Sequence, residues 1–308
     1  MFLTQIRVKS KTMSNDAGDT IKGFTLAAFA FFIWGMSAVF WKSLSHVPPF
    51  ESLMHRMVWS FLFFMIIVFF TGRITELINT LKDPKKMGIL IVTTIIVSVN
   101  WYIFIVAITN NRILQASLGY YINPIVNIVL GMVFLKERLQ KAQTVAVLLA
   151  AAGVIYLTIS QEELPLEALG LAFTFGFYAL IRKVIDVSAV TGLTVETFLL
   201  FFPAVFYLIY IAKNGNGTFF NLDLKTDTLL ICTALVTGLP LLLFNLGAKK
   251  LRLITIGFIQ YLAPTCTFLL AVFLYKEPLP QERLIAFVFI WTALIIYSID
   301  SYLRQRQH

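Results

Sequence analysis

Three ionisable residues lie inside otherwise apolar stretches of the chain: His55, Arg56 and Glu196. Charged groups are costly in hydrocarbon, so those found there face protein or water and commonly serve function. His55 could change its charge near neutral pH and carry a proton. For Arg56 the alternative is structural, with the side chain snorkelling or pairing with a carboxylate that locks the two halves together. We assign all three residues to coupling or gating.

A second group of polar and aromatic residues is suited to binding a ligand. Tyr120, Asn123 and Asn127 are spaced at i, i+3 and i+7, so in a helix they share one face, and that face should avoid lipid. Amides and rings without fixed charge suit a small, weakly charged organic substrate. For any one residue the alternative is a hydrogen bond between helices, worth about 1 kcal/mol. The other members of this predicted substrate-binding group are Trp34, Trp41, Asn100, Tyr102, Asn245, Gln260 and Tyr261.

Several of these residues belong to a segment that occurs twice. Residues 119–137 read GYYINPIVNIVLGMVFLKE, and residues 257–277 read GFIQYLAPTCTFLLAVFLYKE. A period this long in an apolar chain indicates a duplicated membrane unit. An offset of 140 residues pairs Tyr121 with Tyr261, Pro124 with Pro264, Lys136 with Lys276 and Glu137 with Glu277.

The paired prolines and the Lys-Glu pairs each have two readings. A proline within a helix removes one backbone hydrogen bond, so we predict hinges at Pro124 and Pro264, with a packing kink as the alternative. The Lys-Glu pairs, at residues 136–137 and 276–277, end their helices and could form an ion pair that gates access. The alternative there is a helix cap and membrane anchor.

The amino-acid composition is typical of an integral membrane protein. Of the 308 residues, 58% are hydrophobic and 13% charged, and the mean hydropathy is +0.82. The net charge of +9 reflects the Lys and Arg that membrane proteins collect in cytoplasmic loops, so no nucleic-acid partner is expected. Cys232 and Cys266 lie in apolar runs, and no nucleotide, metal or catalytic motif has a fitting context. We expect no cofactor, no metal and no enzymatic activity.

The apolar segments predict an all-α polytopic membrane protein of ten transmembrane helices. Crossing the hydrocarbon takes about 20 apolar residues. We divide the chain into a disordered cytoplasmic tail (1–21), two five-helix repeats (22–160 and 161–302) and a second cytoplasmic tail (303–308). The predicted spans are 22–42, 50–71, 88–108, 113–135, 141–159, 166–183, 192–212, 227–248, 253–275 and 281–302.

The distribution of positive charge predicts the orientation. If the N-terminus is cytoplasmic, 18 Lys and Arg residues lie on the cytoplasmic side and 6 on the other, with Arg56 inside a span. Both termini are then cytoplasmic. Because five spans is an odd number, the second repeat enters the membrane from the opposite side, so the repeats are inverted. Inverted repeats are typical of secondary transporters, whose binding site lies between the repeats near the midplane.

Several motifs resemble the RarD branch of the EamA family of drug/metabolite transporters. They are Trp34-Gly35, residues 41–60 (WKSLSHVPPFESLMHRMVWS), Asn100-Trp101 and residues 117–124 (SLGYYINP). The resemblance implies an inner-membrane permease whose central cavity is lined by the first, third, fourth, sixth, eighth and ninth spans. Proteins of this branch are labelled chloramphenicol-sensitivity proteins, a label that does not establish a physiological substrate. Gln260 stands where the first repeat has Tyr120, so the two halves of such a cavity differ chemically.

We therefore expect a multi-pass protein of the bacterial inner membrane that exports a small organic metabolite or amphipathic drug by alternating access. A proton gradient or a counter-substrate would drive it. The alternatives are a non-transporting scaffold or assembly factor and an amino-acid importer. A lipid-modifying enzyme would need a nucleophile, carboxylate pair or metal cluster that the sequence does not supply. Ala142, Ala146 and Ala150 form a small-residue ridge that suits an internal helix seam or a homodimer face.

The predicted orientation can be tested with reporter fusions. Alkaline phosphatase, which folds only after export, should be active when fused after Gly215 and inactive when fused after Lys86. Green fluorescent protein at the C-terminus should fluoresce. Active phosphatase at Lys86 would contradict the orientation.

Overall fold

The chain folds into a bundle of helices in a computed structural model that describes residues 17–110, 112–160, 165–276 and 281–305. Within these residues there are twelve α-helices and one π-helical segment, Leu270–Leu274. The α-helices are α1 (Ala17–Ser43), α2 (Pro49–Phe70), α3 (Ile74–Lys82), α4 (Pro84–Thr109), α5 (Ile113–Phe134), α6 (Lys141–Ile159), α7 (Leu166–Val184), α8 (Ala189–Lys213), α9 (Leu224–Ala248), α10 (Leu253–Gln260), α11 (Leu262–Leu269) and α12 (Gln281–Gln305).

The ten predicted spans are all present as helices. Nine segments of the described chain are long and apolar enough to cross a membrane, with α10, α11 and the π-helical segment counting as one. The tenth span is α7, a 19-residue helix with Glu167 in its first turn and Arg182 and Lys183 in its last. Because the number of spans is even, the start of α1 and the end of α12 lie on one side of the bundle. We call this the terminal side and the opposite one the far side.

Two local features differ from the sequence prediction. The short helix α3 lies in what the sequence predicts to be a loop, where Leu77 and Thr80 turn one face inward. The first described residues, 17–21, already belong to helix α1 and are helical rather than part of a disordered tail. The predicted division into repeats at residue 160 stays a prediction.

The helix contacts follow a twofold pattern that matches the duplication. Helix α5 packs on α7, and its counterpart α10–α11 packs on α1. Helix α4 packs on α7, and α9 packs on α1. The pairs α2–α8, α5–α10 and α6–α12 each join a helix to its own counterpart. The two repeats are therefore interleaved, and the principal helix contacts join one repeat to the other.

Two repeat-paired glycines allow this interleaving. A Cβ on Gly35 of α1 would lie 2.6 Å from the Cβ of Cys266 and 2.7 Å from the backbone oxygen of Ala263. A Cβ on Gly176 of α7 would lie 2.7 Å from Cγ1 of Val126. Gly176 follows Gly35 by 141 residues and Cys266 follows Val126 by 140, so the same close helix contact is built twice.

The proline-bearing helices behave differently in the two repeats. Helix α5 continues through Pro124, whereas its counterpart breaks between Gln260 and Tyr261. Pro264 accounts for the position of the break. A proline has no N–H to donate to the carbonyl four residues earlier, here that of Gln260, and its ring crowds that carbonyl. Both copies nevertheless end alike, because Lys136 and Lys276 adopt positive φ values of 57° and 51°.

The predicted Ala ridge lies inside the fold. Ala146 and Ala150 are fully buried on α6, which packs on α12. Farther along α6, a Cβ on Gly153 would lie 2.8 Å from the Cβ of Phe289. This placement agrees with the internal-seam interpretation of the ridge. It leaves these residues unavailable as a homodimer face.

Gly35→Ala should destabilise the protein by about 1–3 kcal/mol, because the added methyl group meets backbone as well as side chain. The control is Gly88→Ala, since a Cβ there would find open space. Thermal unfolding of both purified variants measures the effect. Equal melting temperatures would contradict the close contact between α1 and α11.

Candidate functional site

Three buried amide side chains join α5 to α10. Asn127 Nδ2 donates to Oε1 of Gln260 at 2.6 Å, and Gln260 Nε2 donates to Oδ1 of Asn123. Asn123 Nδ2 donates to the backbone oxygen of Ala172 on α7. All three side chains are at most 6% exposed. We call this group the amide seam.

The amide seam lies close to the middle of the bundle and crosses the boundary between the repeats. Asn123 is at the centre of α5, which runs from Ile113 to Phe134. The backbones approach closely here, because a Cβ on Gly257 would lie 2.7 Å from the carbonyl oxygen of Pro124. The hydroxyl of Tyr261 donates to the backbone oxygen of Tyr121 at 3.3 Å. The two copies of the duplicated segment therefore contact each other directly. Oδ1 of Asn127 remains buried without a hydrogen-bond partner.

A second buried network surrounds Arg182 in the terminal half of the bundle. Arg182 is 0% exposed; its Nε lies 3.6 Å from Oε1 of Glu196 and donates to Oδ1 of Asn245 at 3.2 Å. Glu196 also accepts hydrogen bonds from Thr93 at 2.6 Å and Tyr178 at 3.0 Å. We call these five residues the Arg182 network. Because they come from α4, α7, α8 and α9, the network ties both repeats together.

Lysine and carboxylate contacts reinforce the same side. Lys183 donates to the backbone oxygens of Ala248 and Leu251, and Lys249 donates to that of Val187. On α3, Glu76 accepts from the backbone N–H of Ser188 at 3.2 Å and from Arg73 at 2.8 Å. Burial acts to raise the pKa of Glu76, but the hydrogen bonds from Ser188 and Arg73 outweigh it and hold the pKa below its usual value.

On the far side, the start of α2 contacts the loop between α8 and α9. Glu51 is 1% exposed and accepts from the backbone N–H and hydroxyl of Thr218 at 2.7 and 2.9 Å. His55, 4% exposed, has its Nε2 3.9 Å from Glu51 and accepts from Trp59 at its Nδ1. Its ring packs on Phe219. These contacts fix one end of α2 against the second repeat.

Arg56, the neighbour of His55, faces a different environment. Its guanidinium carbon lies 4.1 Å from the centre of the Trp101 ring on α4. It interacts electrostatically with the phenol of Tyr120 on α5. Its Nε is buried without a hydrogen-bond partner, and among the described carboxylates none forms an ion pair with it. The cation is thus stacked but not neutralised.

Comparison with known proteins agrees with this architecture. The sequence profile of the EamA-like transporter family matches residues 21–159. Protein RarD of Escherichia coli (strain K12) is 42% identical over 292 residues, which cover 95% of this chain and 99% of RarD. An uncharacterized transporter of Vibrio cholerae is 43% identical over 289 residues, covering 94% of this chain and 96% of its own. The uncharacterized transporter YojE of Bacillus subtilis is 39% identical over 292 residues, covering 92% and 95%.

The chain belongs to the RarD branch of the EamA family. A crystal structure with 17% sequence identity has the same fold, with a TM-score of 0.68 over 95% of this chain and 99% of its own. The protein is accordingly a multi-pass membrane protein of a bacterial transporter family.

The structure gathers part of the predicted substrate-binding group in this RarD-branch protein. Asn123, Asn127 and Gln260 form the amide seam, and Tyr261 lies beside it. Asn245 belongs instead to the Arg182 network. Asn100 is held by α7, donating to the backbone oxygen of Leu171 at 2.9 Å and to Thr174 at 2.8 Å.

The predicted aromatic residues are distributed more widely. Trp34 packs against Phe31, Phe175 and Phe244 in the bundle interior. Trp41 packs near the far side with Leu44 and Val47. Tyr102 is 63% exposed and, two helical positions from buried Asn100, points to the opposite face of α4. The structure does not bring Tyr102 or Trp41 to the amide seam.

The Lys-Glu pair of the first repeat acts as a helix cap. The carboxylate of Glu137 accepts from the backbone N–H groups of Leu253 and Ile254 at 2.8 and 2.9 Å, the first turn of α10. This matches the cap interpretation, and the cap crosses between repeats. Lys136 is exposed, as is Lys276. Glu277 lies outside the described residues.

Sequence reasoning misses two residues of the interior. The charge pattern places Arg182 among the cytoplasmic charges because it sits next to Lys183 at the end of a span, whereas the structure buries it completely. In the sequence, Trp101 is noted only as part of a motif, although its ring stacks against the Arg56 guanidinium. The sequence signal for the burial of Arg182 is its position inside the span, two residues before the helix ends at Val184. Among the described residues, no group of three His, Cys, Asp or Glu could hold a metal ion.

Arg182→Ala should destabilise the protein strongly, by about 3–5 kcal/mol, because it leaves the buried Glu196 carboxylate without its cation. The matched control is Arg73→Ala, which removes an exposed ion pair with Glu76 and should cost at most about 1 kcal/mol. Thermal unfolding in detergent measures both. A melting temperature for Arg182→Ala as high as that of the control would refute the role assigned to the network.

Proposed function

We propose that this protein is a secondary transporter of the inner membrane that exports a small organic metabolite or amphipathic drug by alternating access. The observation that carries the proposal is the amide seam, which places polar side chains from both repeats at the middle of the bundle. Inverted-repeat transporters bind substrate at this position, where two halves that move against each other can both contact it.

The hydrogen bonds of the amide seam support a changing rather than a permanent contact. Asn127 and Gln260 are neutral amides, and each such bond between membrane helices contributes only about 1 kcal/mol. A substrate that offers donors and acceptors of its own can replace these bonds. The unpartnered Oδ1 of Asn127 is an acceptor already available to it. The hinges predicted at Pro124 and Pro264 flank this contact.

The buried ionisable groups are candidates for coupling. Glu196 sits at the contact of four helices in the Arg182 network, and His55 sits between α2 and the α8–α9 loop. A proton taken up by Glu196 would neutralise the carboxylate beside Arg182 and weaken contacts that hold the repeats together. A proton taken up by His55 would instead place a cation 3.9 Å from Glu51 and strengthen that contact. We propose a proton or an exchanged counter-substrate as the driving species, with both termini cytoplasmic.

The proposal is tested by measuring transport in proteoliposomes loaded with candidate solutes, chloramphenicol among them, with and without a pH gradient. Asn127→Leu and Gln260→Leu should lower the initial rate at least tenfold because they remove the amide seam. Protein that moves no solute under any gradient, yet is folded, would favour a scaffold instead.

Gln143→Leu is the matched control for these variants. Gln143 is also a buried amide, 5% exposed, but it bonds Asp300 between α6 and α12, away from the amide seam. Its rate should stay within about twofold of the unmodified protein. Equal loss of transport in all three variants would mean that the rate reports general stability rather than a substrate site.

A further inference from the structure

Arg56 lies within α2, a helix that is long and apolar enough to cross a membrane. Helix α2 begins at Pro49, so Arg56 is roughly 10 Å along the helix axis from its far-side end. The hydrocarbon layer is about 30 Å thick in total. An isolated charge at that depth is costly unless protein or water compensates it. The stacking on Trp101 offsets part of this cost, and no described carboxylate offsets the remainder.

Two buried carboxylates at the far side, Glu51 and Asp227, bond to groups other than Arg56. Glu51, on the same helix, is five residues from Arg56 and therefore on a different side of α2. Its Oε1 accepts both hydrogen bonds from Thr218, and its Oε2 is buried without a hydrogen-bond partner. Asp227 accepts from the backbone N–H of Phe220 at 2.9 Å. The sequence-based hypothesis that Arg56 pairs with a carboxylate to lock the halves is therefore not what the described residues show.

The surroundings of Arg56 are aromatic and face the interior. Trp101 and Phe104 are three residues apart on one face of α4, and the ring of Phe104 contacts Tyr120 edge-on at 6.5 Å. Tyr120 shares its face of α5 with Asn123 and Asn127, which point into the amide seam. Tyr120 is 51% exposed, and its side chain lies on the interior face of α5.

These residues form a site next to the amide seam. We call Arg56, Trp101, Phe104 and Tyr120 the Arg56 site. Tyr120 precedes Asn123 by three residues, so the two positions are separated by roughly 4.5 Å along α5. Tyr120 thus connects the Arg56 site to the amide seam along one face of α5.

We propose that the Arg56 site binds the carboxylate of the transported molecule, so that the substrate is a small organic acid with a planar or apolar body. This inference rests on the proposed function and names the substrate class of the same pathway. A guanidinium stacked on a ring keeps its in-plane N–H groups free to bind a carboxylate in a bidentate manner. A single unpaired cation matches a single negative charge, and the three rings suit a flat body.

A binding experiment with acid and amide pairs tests the proposal. Protein in phosphatidylcholine nanodiscs is titrated with benzoate and indole-3-acetate, and with benzamide and indole-3-acetamide, and thermal stability is followed. Both acids should stabilise the protein, and both amides should be at least tenfold weaker. Arg56→Gln should weaken binding of the acids roughly tenfold to hundredfold, while Arg73→Gln, at an exposed arginine, should leave it unchanged.

Two further variants keep the test decisive if Arg56→Gln does not fold. Arg56→Lys retains the charge but loses the planar fork, and Trp101→Leu retains the arginine but loses its ring. Each should weaken acid binding several-fold. Acids that bind no better than amides, acids that do not bind at all, or wild-type affinity in both variants would overturn the proposal.

Lipid exchange and transport assays distinguish an organic acid from a lipid phosphate or a neutral substrate. Stabilisation on replacing phosphatidylcholine by phosphatidylglycerol, with none from the free acids, would make Arg56 a ligand of lipid phosphate and overturn the substrate assignment. Transport of the amides but not of the acids would overturn the anion site and leave the transporter proposal intact. Acid binding that depends on Arg56, without transport of any probe, would instead refute the transporter proposal.

Discussion

The crossing of α5 and α10 constrains the rest of the molecule. Two helix backbones meet there at the distance that Gly257 allows, and lipid offers no hydrogen-bond partner to the polar groups at the contact. Asn123, Asn127 and Gln260 must therefore satisfy one another across the boundary between the repeats. Each repeat thus supplies hydrogen-bond partners to the other. The interleaved helix pairs of the bundle extend the same dependence to both sides.

The fold is predictable because its signals are repeated and long. Ten apolar stretches separated by charged or Pro-containing loops predict the helices, and the 140-residue offset from Tyr121 to Tyr261 predicts the twofold arrangement. The small helix α3 is missed because its nine residues are amphipathic rather than apolar. Hydropathy identifies membrane spans and is insensitive to a short helix lying beside them.

The candidate site is only partly predictable. Helical spacing groups Asn123 with Asn127 correctly, since a period of 3.6 residues determines which side chains share a face. It cannot show that Asn245 pairs with Arg182, because that contact joins two helices 63 residues apart. Nor can it separate Asn100 from Tyr102, which both look suitable for a cavity although they lie on opposite faces of α4. Partner choice between helices depends on helix rotation, and the sequence pattern fixes rotation only roughly.

The charges of the interior are distributed unevenly between the two sides. In the terminal half the buried Arg182 has Glu196 beside it, and lysines close over the ends of α7 and α9 by binding backbone carbonyls. In the far half Arg56 has an aromatic ring beside it and no described carboxylate. The duplicated fold thus has a buried arginine in each half, one beside a carboxylate and one beside an aromatic ring.

The broken helix in the second repeat also affects how the protein can deform. Helix α5 continues through Pro124, whereas the second copy is interrupted at Tyr261, between α10 and α11. A helix with an interrupted hydrogen-bond ladder bends more easily than a continuous one, so the hinge predicted at Pro264 has a local basis that the one predicted at Pro124 does not share. Under the alternating access proposed above, the two directions of motion would bend these unlike helices differently, so the outward and inward steps need not share one rate even in a molecule built by duplication.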